Sequence, residues 1–251
     1  FIGVLMLLGH TSYYFNSIWL TLDPLNPLFP SQSQFILRYI GYLCAPGFLI
    51  MAGAMVWLSY HRSIEKGTKP LKAKWYYVQR GLFLVLVQMT WVNSAWSGFA
   101  RFAPWHLGII ASIGISVILL TTLVSSKWYL RLAIALLLLT IHPFLIELSY
   151  NSESQFQRII METFVLSGSF NKYPVIPWFS LALLGSVMAT FWFKIWNTGK
   201  QRFFYGFGIG ALSIILALYI RISGGFGNIF PYSEIGSFAF FADQKYPPSL
   251  F

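Results

Sequence analysis

The sequence predicts an all-α polytopic membrane protein of about seven transmembrane helices plus the start of an eighth, and three observations predict it. The residues are 57% hydrophobic and 10% charged, whereas soluble domains carry about 25% charged residues. The apolar residues gather into runs of roughly 20, the length a helix rising 1.5 Å per residue needs to cross a lipid core about 30 Å thick. Aromatic residues make up 19%, with 10 Trp, which suits belts at two membrane interfaces. The net charge of +10 does not indicate nucleic acid, because the basic residues lie in the gaps between apolar runs. Membrane lipids are the contacts expected for them. The single cysteine, Cys44, excludes an internal disulfide.

The first span is expected at Ile2–Leu20, with His10 at its middle. A loop over 21–34 holds Asp23, Pro24, Pro27 and Pro30 and no Lys or Arg. The second span, Phe35–Tyr60, reads FILRYIGYLCAPGFLIMAGAMVWLSY, with Arg38 its one charge. Pro46 lacks a backbone donor and frees the carbonyl of Tyr42, so the helix should kink there. Gly41, Ala45, Gly47, Ala52, Gly53 and Ala54 permit close helix packing. Arg38, Tyr42 and Pro46 share one face by their i, i+4, i+8 spacing. Two readings stand: these residues wall a polar cavity, or Arg38 reaches out to the headgroups.

His61–Arg80 follows, with Arg62, Lys66, Lys69, Lys72, Lys74 and Arg80 against Glu65. It reads as a cytoplasmic loop, which places residue 1 on the cytoplasmic side. Further spans are expected at Gly81–Trp96, Trp105–Val124, Trp128–Leu148, Ile176–Trp196 and Phe203–Ile222, with an eighth beginning at Tyr246. Lys127 and Arg131 flank one short inner loop; Lys194, Lys200 and Arg202 flank another. On the outer side, Gln155–Val165 puts Phe156, Ile159, Ile160 and Phe164 on one face and the Arg158–Glu162 pair on another. That pattern predicts a short interfacial helix. Ser223–Lys245 is glycine-rich and holds Glu234 and Asp243. Residues 1–251 read as one integral-membrane domain. An opening Phe and an apolar run starting at the last residues predict a piece of a longer chain.

His10 is the leading candidate for chemistry. A mid-span imidazole is costly unless it faces a polar interior, and it titrates near neutral pH. The competing reading is a histidine hydrogen-bonded between helices for packing. His142, before Pro143, is expected to do no more than pair with backbone. His106 reads as interfacial and His61 as solvated. The histidine spacing fits no metal site. The basic 61–80 stretch could attract a polyanionic cosubstrate, but the positive-inside bias and anionic lipid contact account for every charge there. The glycines of GFGIG (206–210) lie in an apolar run and read as packing positions.

Four stretches resemble the bacterial relatives of the heparan-α-glucosaminide N-acetyltransferase catalytic domain. LMLLGH, ending at His10, is similar to the family's first-helix motif ending in Asp-His. FILRYIGYLCAPGFLIMAG is similar to its Arg-containing second helix, with Arg38, Cys44, Ala45, Pro46 and Gly53. YPVIPWFSLALLG (173–185), which includes Trp178, is similar to its Tyr-Pro-x-x-Pro-Trp helix, and KYPPSL (245–250) to its Lys-Tyr-Pro-Pro-Ser-Leu motif. The resemblance implies further helices beyond Phe251 and acyl transfer across the membrane. Acetyl-CoA or another acyl-CoA would be the cosubstrate, and a sugar amine or hydroxyl, or a similar small molecule, the acceptor. It implies a catalytic role for His10 and substrate-binding roles for Arg38, Tyr42, Trp178, Lys245 and Tyr246, in a cavity opening outward between the first, second and sixth spans.

Two positions depart from the pattern. Gly9 stands where the family usually has Asp, and Tyr42 where many members carry a second histidine. The partner that would orient His10 and raise its basicity is therefore absent. A degenerate member, serving as an interaction subunit among other membrane protein subunits, is the rival expectation. A transporter fits less well, because the spans hold few charges and no repeat is visible.

Overall fold

The computed structural model describes residues 1–16, 32–96, 98–100, 102, 104–149, 154–224, 228, 232 and 234–241. Helices dominate: α1 (Ile2–Phe15), α2 (Gln32–Tyr42), α3 (Cys44–Glu65), α4 (Pro70–Val87), α5 (Asn93–Trp96), α6 (Ile109–Leu123), α7 (Trp128–Ser149), α8 (Gln155–Phe164), α9 (Val175–Thr190), α10 (Gly199–Ser223) and α11 (Phe238–Phe241). The described residues form no strand, only an isolated bridge between Leu107 and Asn171. Among them, Phe35–Glu65, Trp128–Leu148, Val175–Ile195 and Gly199–Ser223 are long and apolar enough to cross a membrane, and Ile109–Leu123 is a shorter apolar helix. The end of the expected first span and the whole of the eighth lie outside the described residues.

The chain divides into two compact units, one of residues 1–48 with 207–251 and one of residues 49–206. In the first unit, α1 lies beside α2. Where a kink is expected ahead of Pro46, the helix is interrupted at Leu43. Helix α2 stops at Tyr42, the Leu43 N–H turns back to the Ile40 carbonyl at 3.2 Å, and α3 restarts at Cys44. The start of α3 meets the start of α1. The Cys44 thiol donates to the Ile2 carbonyl at 3.8 Å, and a Cβ on Gly47 would run into the Ile2 side chain.

The second unit is held by backbone-to-backbone approaches. A Cβ on Gly53 of α3 would collide with the Ala182 carbonyl of α9, and one on Gly185 of α9 with the Ile50 carbonyl of α3. Helices α4 and α6 do the same reciprocally: Gly81 lies against the Gly114 carbonyl and Gly114 against the Gly81 carbonyl. Without a hydrophobic drive between helices in lipid, such small-residue seams supply dispersion contact in its place. Helix α9 is the most enclosed element, with Trp178, Ala182 and Leu183 at its centre, and α6, α7 and α8 all pack on it.

Two helices carry five-residue π-type turns. In the first, Gln88–Val92 joins α4 to α5, and the Asn93 N–H reaches the Gln88 carbonyl five residues back. In the second, Phe191–Ile195 ends α9, and the Trp196 N–H bonds the Phe191 carbonyl at 2.7 Å.

The basic 61–80 stretch is a helical hairpin rather than the loop expected. Lys and Arg favour helix, so α3 continues to Glu65 and α4 starts at Pro70. Between them Gly67 adopts φ +82°. The Thr68 N–H bonds the Ser63 carbonyl at 3.0 Å and the Gly67 N–H the Ile64 carbonyl at 2.9 Å, a Schellman ending. The short helix expected at 155–165 forms. Ser154 and Gln157 make a reciprocal capping box at the start of α8, Arg158 pairs with Glu162 at 3.2 Å, and Phe156 and Phe164 are exposed.

Candidate functional site

His10 occupies an exposed position on α1, with half-exposed Gly9 before it. A Cβ on Gly9 would meet nothing within 4 Å, so a larger residue fits there sterically. His10 lies roughly 12 Å along the helix from the Ile2 contact with Cys44, and the Arg38 backbone roughly 9 Å back from Cys44, at 1.5 Å per residue. The two helices that carry them are neighbours. The Arg38 side chain lies outside what is described. Tyr42 is half-buried at the last position of α2, where the helix breaks. Its carbonyl is the one that Pro46 deprives of a backbone donor. Lys245 and Tyr246 lie outside the described residues.

Trp178 belongs to the second unit and is 1% exposed. Pro174 caps α9 with φ −59° and ψ 144°, and the Tyr173 and Trp178 rings meet edge to face at 5.1 Å. Asn171 fixes this entrance. Its amide donates to the Thr163 carbonyl at 3.3 Å and the Tyr173 carbonyl at 3.1 Å, and its Oδ1 accepts from the Tyr173 N–H at 2.9 Å. The Trp178 Nε1–H is buried without a hydrogen-bond partner among the described residues. A buried indole donor costs free energy until an acceptor reaches it.

A chain of polar contacts extends from this entrance that the sequence reading missed. Gln88 Nε2 donates to Asn93 Oδ1 at 2.8 Å, Asn93 Nδ2 to the His106 carbonyl at 2.8 Å, and His106 Nδ1 lies 2.9 Å from the Ser169 carbonyl. The Phe170 N–H donates to the buried Glu162 carboxylate at 2.7 Å. Gln88 and Asn93 are five apart, a spacing that shares no face of an α-helix, so helical periodicity hides them. The intervening π-type turn is what brings them together, and such turns often mark functional positions.

The remaining histidines divide. His142 is buried with Nε2 2.9 Å from the Val165 carbonyl, the backbone pairing expected. His61 is not the solvated loop residue expected. It sits in α3, half-buried, with Nδ1 2.9 Å from the Trp57 carbonyl and its ring 4.2 Å from that of Trp57. Arg131, expected beside a short inner loop, and Arg221, near the end of the Phe203–Ile222 span, are also buried. Arg131 is 1% exposed and donates to the Ser186 carbonyl at 3.0 Å and Thr190 Oγ1 at 2.8 Å, with Trp57 5.8 Å from its guanidinium. Arg221, also 1% exposed, donates to the Phe240 carbonyl at 2.8 Å and Asn228 Oδ1 at 3.0 Å, and lies 4.7 Å over the Tyr232 ring. Among the described residues no group of three or more His, Cys, Asp or Glu could hold a metal ion.

Four helices among the described residues, long and apolar enough to cross a membrane, define the class, an integral membrane protein. Residues 2–218 match the family described as heparan-alpha-glucosaminide N-acetyltransferase, catalytic, and the chain belongs to that family. Membership points to a membrane acetyltransferase-like activity. The matched range contains His10, Arg38, Tyr42 and Trp178 and stops short of Lys245 and Tyr246. No curated protein and no solved structure matches the chain.

Proposed function

We propose that the protein transfers an acetyl or other acyl group from an acyl-CoA on the cytoplasmic side, where the basic hairpin lies, to a sugar amine or hydroxyl on the other side of an inner bacterial membrane. The observation that carries this reading is the family match over residues 2–218, which covers the histidine position. In the reaction, the acceptor nitrogen or oxygen attacks the thioester carbonyl. The new C–N or C–O bond forms, the C–S bond breaks, and the thiolate leaves as the acceptor gives up its proton. His10 takes that proton as general base; in a two-step variant its ring nitrogen first accepts the acyl group and then passes it on. The Arg38 guanidinium offsets the negative charge that develops on the carbonyl oxygen. Tyr42, Trp178, Lys245 and Tyr246 bind substrate, and the unpartnered Trp178 indole N–H supplies a donor for a substrate oxygen.

Acetyl transfer to a panel of amino and hydroxyl sugars, measured in membranes, tests this. His10→Ala should lower the rate by about 100-fold or more, the usual contribution of a positioned acid–base group. An unchanged rate would remove His10 from the mechanism. Gly9→Asp, for which the open space around Gly9 leaves room, should raise the rate by orienting His10.

The glycine at position 9 and the tyrosine at position 42 favour a second reading, a catalytically silent member that acts as a subunit among other membrane proteins. Stable co-purification with such subunits, together with a wild-type complex formed by His10→Ala, would select it. Acetyl transfer by the lone chain would reject it.

A further inference from the structure

The hairpin of α3 and α4 encloses a groove of about 480 Å³, within the range of small-molecule sites. Arg62 of α3, Lys66 just past its end, and Lys72 and Arg80 of α4 line it, together with the hydroxyls of Ser63 and Thr68. No carboxylate lines it. The spacings explain the convergence. Arg62 and Lys66 are one turn apart, and Lys72, Tyr76 and Arg80 form an i, i+4, i+8 row, so each helix turns a single cationic face to the other.

The groove is arranged rather than merely charged. Arg80 Nη1 donates to the Tyr76 hydroxyl at 2.7 Å and lies 5.5 Å over its ring, which holds the guanidinium in place. Among the groove's lining residues, the buried Tyr77 phenol is pushed above its ordinary range by burial. It therefore stays neutral and adds no negative charge. Sidedness alone does not select among basic residues: Lys69 and Lys74 belong to the same hairpin and do not line the groove. Among the described residues no carboxylate lies within ion-pair distance of the four cations; the ion pair found is Arg158–Glu162. Four unneutralised cations facing one another repel, and a ligand with a single negative charge leaves most of that repulsion in place.

We infer that this groove is a binding site for a multiply charged phosphate anion, a diphosphate or a pair of phosphates, gripped by Arg62, Lys66, Lys72 and Arg80. Guanidinium groups match phosphate oxygens two at a time, and the hydroxyls complete the shell. Such an anion has two sources, a free organic diphosphate or a lipid headgroup with two phosphates. The inference does not depend on the acyl-transfer reading.

The test uses the whole chain in nanodiscs. Inorganic pyrophosphate is titrated calorimetrically in pure phosphatidylcholine discs. Retained lipid is measured by native mass spectrometry after reconstitution with cardiolipin added. Two variants of equal charge are compared, Arg62→Gln/Lys72→Gln in the groove and Lys69→Gln/Lys74→Gln outside it. The groove pair should weaken binding by about tenfold or more, and the outside pair by less than about twofold. Pyrophosphate binding with this pattern assigns the free source, and cardiolipin retention with this pattern assigns the headgroup. Equal losses in the two variants, or binding of neither probe, overturns the inference. Should the groove pair fail to fold, Lys66→Gln, which alters one exposed side chain, replaces it under the same criteria.

Discussion

Arg131 and Arg221 are equally buried, both lie in apolar helices, and the two are held by opposite strategies. Arg131 reaches from α7 to a neighbouring helix and grips the Ser186 carbonyl and the Thr190 hydroxyl of α9. Arg221 grips the segment that follows its own helix, through the Phe240 carbonyl, Asn228 and the Tyr232 ring. The first contact belongs to the packing of the second unit. The second ties Asn228, Tyr232 and Phe240 to the end of α10. A buried cation can therefore serve as a bolt between helices or as a clasp for a loop, and the difference is measurable as global against local stability.

The largest effect should come from the seam beside Arg131. Gly185→Ala places a methyl group against the Ile50 backbone carbonyl, where neither side can yield easily. A cost of about 3 kcal/mol or more is expected, read as a lower unfolding temperature and loss of monodisperse protein in detergent. A wild-type unfolding temperature would mean that α9 is free to shift, and the contrast with Arg221 would lose its basis. Arg131→Ala comes next, at about 3 kcal/mol of global stability, because it removes two charge-assisted hydrogen bonds and leaves a void. Arg131→Lys should recover less than half of the loss, since an ammonium cannot reach both acceptors as a planar fork does.

Arg221→Ala should cost about 2 kcal/mol, but locally. Limited proteolysis within 224–241 should accelerate while the main unfolding transition stays in place. A matching drop in the global transition would show that the clasp is also a bolt. The smallest effect is that of Tyr232→Phe. Its hydroxyl donates to the Arg221 carbonyl at 3.1 Å, so about 1 kcal/mol is expected, visible as a modest rise in the same proteolysis rate.

Sequence reading succeeded where one residue has one consequence. A kink is expected ahead of Pro46, and the helix is interrupted at Leu43. The i, i+4 pair of Arg158 and Glu162 with an apolar opposite face predicts a short helix, and one forms. His142 had backbone within reach and uses it. The reading failed where a charge was taken as evidence of solvent. Arg131 and Arg221 lie near span ends, where a cation is ordinarily a flank, and nothing local reveals that a carbonyl from a distant residue awaits it. The 61–80 stretch reads as a loop by its charge density, although its residues favour helix. For the candidate site, the motifs nominate His10, Arg38 and Trp178, with Tyr42 at a position where the chain departs from the family pattern. The Gln88–Asn93 link is not legible, because it depends on an irregular turn that no periodicity announces.

That irregular turn has a consequence for the whole stretch after it. A winding that takes five residues to close a hydrogen bond holds one more than an α-turn needs. Each α-helical residue advances the chain by about 100° of azimuth. Cutting a single residue from 88–92 would thus re-index every later position of the rod by about a quarter revolution. Asn93 would swing away from the His106 carbonyl, and Trp96 would point along a new bearing. The surplus residue works as a vernier: it dials the polar end of the rod toward its neighbour while the apolar shaft before it keeps its own alignment.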